Sequence, residues 1–143
     1  MFGRKRTKPI DLKSLDQLKP LLAEGKPVLV EFMQAACRSC KIMDGIVNEV
    51  AEEYGGSAHV VKVDLGRVPA AAASFQVKGT PTFLLFGRPG LPAAKKKAKR
   101  QPAPAPERET QGPVVRWRAN GLVRKDVMTR ALEASGAVRA AQD

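Results

Sequence analysis

Apolar residues fall along the chain in short continuous runs and in helical stripes. Leu15, Leu18, Leu21 and Leu22 recur at helical spacing and predict a short helix from Asp16 to Gly25, with the glycine as its stop. Pro20 lies inside that span and allows the helix to start a turn later. Val28-Leu29-Val30-Glu31-Phe32-Met33 is an apolar run short enough for a buried strand rather than a helix. Ile42, Met43, Ile46, Val47, Val50 and Tyr54 then mark one face of a helix from about Cys37 to Tyr54, which Gly55-Gly56 ends. His59 to Val63 reads as the next strand. Pro69 followed by Ala70–Ala73 and Phe75 reads as a short helix with proline in its first turn. Thr82 to Phe86 is a third β-rich run. Val114 to Arg118 alternates like a half-exposed strand, and Asn120-Gly121 supplies a turn. A last helix runs from about Lys125 to Ser135, with Val127, Met128, Ala131 and Leu132 apolar and Gly136 as its stop.

Strand, helix and strand in the first half imply a βαβ unit with parallel strands, and the last two strands are placed to pair antiparallel. The expected class is α/β, a central mixed β-sheet flanked by helices. Residues 10–87 and 114–138 form a single domain in this reading. Residues 88–113 break the pattern: they hold six of the eleven prolines and the run Lys95-Lys96-Lys97-Ala98-Lys99-Arg100, without apolar periodicity. They read as an extended, disordered insertion, and residues 1–9 as a basic, flexible N-terminus.

The formal net charge of +11 sits mostly in those appendages. Residues 1–8 carry +4 and residues 88–113 carry +5, leaving the remainder at +2. A reading of the whole protein as a nucleic-acid binder therefore loses most of its support, and the lysine run has no interleaved aromatic residue on which single-stranded bases could stack. It reads as a solvated loop, or as an electrostatic docking segment for an acidic partner, nucleic acid or membrane surface. No run of apolar residues is long enough to span a bilayer. Asp11 and Lys13 interrupt Ile10 and Leu12, so no apolar stretch follows the basic start as in a secretory signal, and a cytoplasmic location is expected.

The chain has two cysteines, Cys37 and Cys40, in a C-x-x-C spacing that closes too small a loop to staple the fold. The spacing alone leaves metal, redox and inert-thiol roles open. Context favours redox chemistry, because Cys37 follows a buried strand and opens a helix. Unsatisfied N–H groups and the positive end of the helix dipole stabilise a thiolate there, and Arg38 and Lys41 add positive charge. Cys37 is then the exposed nucleophile, and Cys40, one turn on, resolves the mixed disulfide. A zinc site needs four ligands, and beyond the cysteines only His59 and carboxylates remain. The polar pair Arg38-Ser39 argues against two inert core thiols. No metal or organic cofactor is expected.

With these residues in place the chain resembles the thioredoxin family. Val28–Phe32 followed by Cys37-Arg38-Ser39-Cys40-Lys41 is similar to the family's central strand and active site, and Val61-Lys62-Val63-Asp64 to its next strand. Val77-Lys78-Gly79-Thr80-Pro81-Thr82 is similar to the loop with a cis-proline opposite the dithiol, and Gly121 to Leu132 to the last turn and helix. The resemblance implies a thioredoxin fold and a protein-disulfide reductase. It implies that Pro81 lies against the dithiol, with the Thr80 backbone pairing to substrate. It further implies that Glu31, where the family usually has aspartate, lies beneath Cys40 as a proton carrier, paired with Lys62. Protein disulfides are the implied substrates, a thioredoxin-reductase-like enzyme the electron donor, and a monomer the working form.

Two departures bear on how the site works. Ala36 stands where the family has an aromatic residue and opens the substrate-facing side, and Arg38-Ser39 replaces the usual Gly-Pro. The changed pair affects thiolate stability and potential, within a family range of about −270 to −120 mV. Disulfide oxidase or isomerase activity, and a binding module recruiting an acidic partner through the insertion, therefore stand as alternatives. Trp117, Tyr54, Phe83 and Phe86 read as packing residues, and His59 as a strand-start residue.

Overall fold

The computed structural model describes residues 7–88 and 113–140. Its elements are β1 (Ile10–Asp11), a 3-10 turn (Leu15–Gln17), α1 (Leu18–Ala23), β2 (Val28–Met33), α2 (Arg38–Tyr54), β3 (His59–Asp64), α3 (Ala70–Ser74), β4 (Thr82–Gly87), β5 (Val114–Asn120) and α4 (Lys125–Ala134). The strands form one sheet in the order β1-β3-β2-β4-β5. β1, β3 and β2 run parallel, while β4 is antiparallel to β2 and β5 antiparallel to β4. The mixed sheet and the βαβ unit are those expected from the apolar pattern.

Each face of the sheet carries its own core. Leu29, Phe83 and Leu85 pack with Met43, Val47, Val50 and Tyr54 of α2 and with Met128 and Leu132 of α4. Val28, Val30, Phe32, Val61, Val63 and Leu84 pack with Leu12, Leu18 and Ala71 on the other face. This division follows from strand alternation, since successive side chains point to opposite faces. Fully burying a side chain such as Phe32 or Leu29 stabilises the fold by about 1.5–3 kcal/mol.

Four expectations change. β1 was not expected; it is a two-residue edge strand on β3, pairing Ile10 with Val61 and Asp11 with Lys62. The first helix is split into a 3-10 turn and α1, which begins at Leu18 and so leaves Pro20 in its first turn. No intrahelical N–H bond is lost to proline there. Ile42 was placed on the apolar face of α2 but is 58% exposed, because the buried stripe follows Cys40, Met43, Val47, Val50, Ala51 and Tyr54. Val127 likewise is solvent-facing, at the margin of an α4 stripe made by Met128, Thr129, Ala131 and Leu132. The insertion falls between β4 and β5, and its residues 89–112 lie outside the described residues, as do residues 1–6 of the basic N-terminus.

One row across the sheet matters for the site. Asp11, Lys62, Glu31, Phe83 and Ala119 stand opposite one another on β1, β3, β2, β4 and β5. Directly paired residues share a face, so this row lies on the side that α2 covers.

Candidate active site

The end of β2 delivers the chain to a tight turn in which the Cys37 N–H donates to the Gln34 carbonyl at 3.1 Å. Cys37 is the N-cap of the seventeen-residue helix α2, with extended backbone (φ −82°, ψ 113°). Its Sγ accepts a hydrogen bond from the Cys40 N–H at 3.0 Å. The sulfur therefore does at this helix start what a capping oxygen does elsewhere, satisfying one of the orphan donors. The same N–H and the helix dipole favour negative charge on that sulfur when it is released as thiolate. No acidic residue stands in the first turn to oppose it.

Cys37 and Cys40 are joined as a disulfide, with their Cα atoms 5.2 Å apart. Cys37 is half-buried and Cys40 is 2% exposed, so an incoming thiol or disulfide reaches Cys37 first. Ala36 and Arg38 are exposed on either side of it.

The loop before β4 contributes the second wall. Thr80-Pro81 is a cis peptide bond, and the Thr80 hydroxyl donates to Gln34 Oε1 at 3.1 Å. The loop carrying Pro81 is thus tied to the turn that carries Cys37. Gly121, at φ 77°, donates its N–H to the Pro81 carbonyl at 2.8 Å. Arg118 of β5 donates to the carbonyls of Phe75 and Gln76 at 3.2 and 2.7 Å, holding the start of the same loop.

Beneath α2, Glu31 is 1% exposed and neither carboxylate oxygen has a hydrogen-bond partner. Burial pushes this carboxyl up to about 7, with the nearby Asp44 acting in the same direction and Lys62 against it. The resemblance implied a Glu31–Lys62 pair, and here the structure corrects it. Lys62 faces Glu31 in the sheet register, yet its ammonium donates to Asp44 Oδ1 at 3.1 Å. Asp44 is the partner with more access to water, so pairing there costs less desolvation than pairing with a buried carboxylate.

Asp44 and Gln34 were not singled out from the sequence. Asp44 had a signal: it lies four residues after Cys40, on the flank of the stripe that packs on the sheet. Gln34 had none, since its partner Thr80 is distant in sequence. His59 is turned to Glu24, with Nε2 2.7 Å from Oε1, and takes no part in the dithiol site. Among the described residues no group of three or more His, Cys, Asp or Glu could hold a metal, and no helix is long and apolar enough to cross a membrane.

The thioredoxin family model matches residues 12–103. The chain belongs to the thioredoxin family. Among its thioredoxin relatives, chloroplastic thioredoxin Y2 of Arabidopsis thaliana is 41% identical over 73 residues, which is 51% of this chain and 42% of that protein. Thioredoxin of Acidithiobacillus ferridurans is 36% identical over 75 residues, covering 52% of this chain and 69% of the relative. The chain spans 42–51% of the length of the three plant Y-type thioredoxins it matches. In structure, a mutant thioredoxin from Halobacterium salinarum aligns with a TM-score of 0.68 at 21% identity, over 93% of this chain and 96% of that one, which establishes the thioredoxin fold.

Proposed function

We propose that this chain is a thiol–disulfide oxidoreductase that reduces protein disulfides through Cys37 and Cys40. The observation that carries the reading is the half-buried Cys37 sulfur at the N-cap of α2, accepting the Cys40 N–H. In the reduced protein the Cys37 thiolate attacks one sulfur of a substrate disulfide and expels the other as thiolate, leaving a mixed disulfide. Cys40 then loses its proton to the Glu31 carboxylate and attacks the Cys37 sulfur. The second substrate thiolate leaves, and the Cys37–Cys40 disulfide forms. Two electrons pass from the dithiol to the substrate, and the reaction uses sulfur alone. The cis Thr80-Pro81 segment supports an extended substrate strand beside Cys37, and exposed Ala36 and Arg38 shape the entrance.

The electron donor in this reading is a thioredoxin-reductase-like enzyme that returns two electrons and two protons. Such a reductant works in a reducing compartment, and a chain with no cysteine beyond the dithiol pair fits the cytoplasm. Cys40→Ser tests the scheme directly. This variant is expected to accumulate a covalent adduct with a disulfide-bonded substrate protein, visible by non-reducing electrophoresis and released by dithiothreitol. Absence of any adduct, with the fold intact, would remove the nucleophile assignment.

A further inference from the structure

Lys62 stands among several carboxylates, and its ammonium pairs with Asp44. In the sheet it stands between Asp11 of β1 and Glu31 of β2, each directly opposite it in register. From above, α2 lowers Asp44, and the ammonium goes there, at 3.1 Å. Asp64, two residues along β3, accepts instead from the Gly66 N–H at 2.9 Å. On that face Phe83 of β4 stands beside Glu31 in register and joins a core cluster with Leu29, Met43 and Met128. Among the described residues, the cation that acts on the buried Glu31 carboxyl is Lys62, and its ammonium is held on Asp44.

We propose that Asp44 is a positioning residue: by holding the Lys62 ammonium on α2 it keeps that cation off Glu31 and so leaves Glu31 able to bind a proton. The physical reason is competition for one ammonium. If Lys62 turned onto Glu31, the ion pair would favour the ionised carboxylate and make it a weak base. A carrier that takes the Cys40 proton and then releases it works best when its affinity for protons lies near the working pH. Asp44 keeps Glu31 in that range, and the raised carboxyl described above agrees with it. Lys62 also lines an open groove of about 410 Å³ with Thr7, Lys8, Asp11, Asn48 and Glu52, so the pair is in contact with solvent and costs little to maintain.

The consequence for turnover rests on the oxidoreductase reading; the positioning itself does not, and is read in the resting disulfide form. The experiment follows the carboxyl carbon of Glu31 by NMR against pH in the wild type, Asp44→Ala, Lys62→Met and the double variant. Asp44→Ala is expected to lower the Glu31 midpoint by about one pH unit or more, as an opposite charge freed to pair with it would. In the Lys62→Met background the same replacement is expected to move it much less. An equal fall in both backgrounds would mean that Asp44 acts only through its own charge, and that result overturns the proposal, as does no fall in either. Asp44→Asn, which preserves shape, is expected to follow Asp44→Ala in direction, and a fold-neutral Asn variant with an unmoved midpoint counts against the idea equally. Loss of disulfide reduction by the wild type would instead contradict the oxidoreductase reading and leave these titrations standing.

Discussion

Cys37→Ser will lower the rate of protein-disulfide reduction by at least about a thousandfold, the scale seen when a covalent nucleophile is removed. Serine cannot form the mixed disulfide, and its hydroxyl does not ionise at neutral pH. The replacement is mild for the fold. Cys37 caps α2 through its sulfur, and serine is itself a favoured N-cap residue whose oxygen can accept the Cys40 N–H. A thermal midpoint close to that of the reduced wild type, together with absent insulin reduction under dithiothreitol, is the expected pair of results. Reduction persisting within tenfold of the wild-type rate would show that Cys37 is not the attacking sulfur.

The second large effect is one of stability, and it runs opposite to activity. Glu31 is buried without a hydrogen-bond partner, and its carboxyl is pushed from 4.5 up to about 7. The unfolded chain ionises this group near 4.5, so between that pH and 7 the folded state holds a proton that the unfolded state has lost. Stability from this group is thus full below the lower value, falls as pH rises through the window, and is lost above the upper one. Ionised Glu31 costs about 3 kcal/mol on this basis. Glu31→Leu is expected to be more stable than the wild type at pH 8 by an amount of that order, with the gain attributable to ionisation gone by pH 4.5. Urea unfolding of the disulfide form at several pH values measures it. A difference between the two proteins that stays flat across the range would contradict the assignment. The same variant is expected to slow release of the mixed disulfide, since Cys40 loses its proton acceptor.

The central β2–α2–β3 unit was legible in the sequence because each element carries a strong, separate signal. Val28–Met33 is a continuous apolar run, α2 has a stripe four turns long, and Gly55-Gly56 closes it. The dithiol site was legible for the same reason: the strand end and helix start fix where Cys37 must sit. β1 left no trace, since two residues show no periodicity and its pairing depends wholly on β3 being in place. Ile42 carries the same apolar signal as its buried neighbours, but one residue from Met43 on a helix is far round its circumference, which turns it to solvent. The destination of the Lys62 ammonium lay beyond sequence reading altogether. Glu31 and Lys62 are true neighbours in register, and only the packing of α2 over β3 brings Asp44 close enough to compete.

The account turns on Cys37 being an accessible sulfur that ionises readily while Cys40 remains shielded. Alkylation of the reduced protein by iodoacetamide, followed by mass spectrometry at each cysteine from acid to alkaline pH, tests this most directly. The predicted result is rapid modification of Cys37 with a midpoint well below about 8.5, the value of a free thiol, and little modification of Cys40 in the same window. A Cys37 midpoint at the free-thiol value, or equal reactivity of the two cysteines, would contradict it.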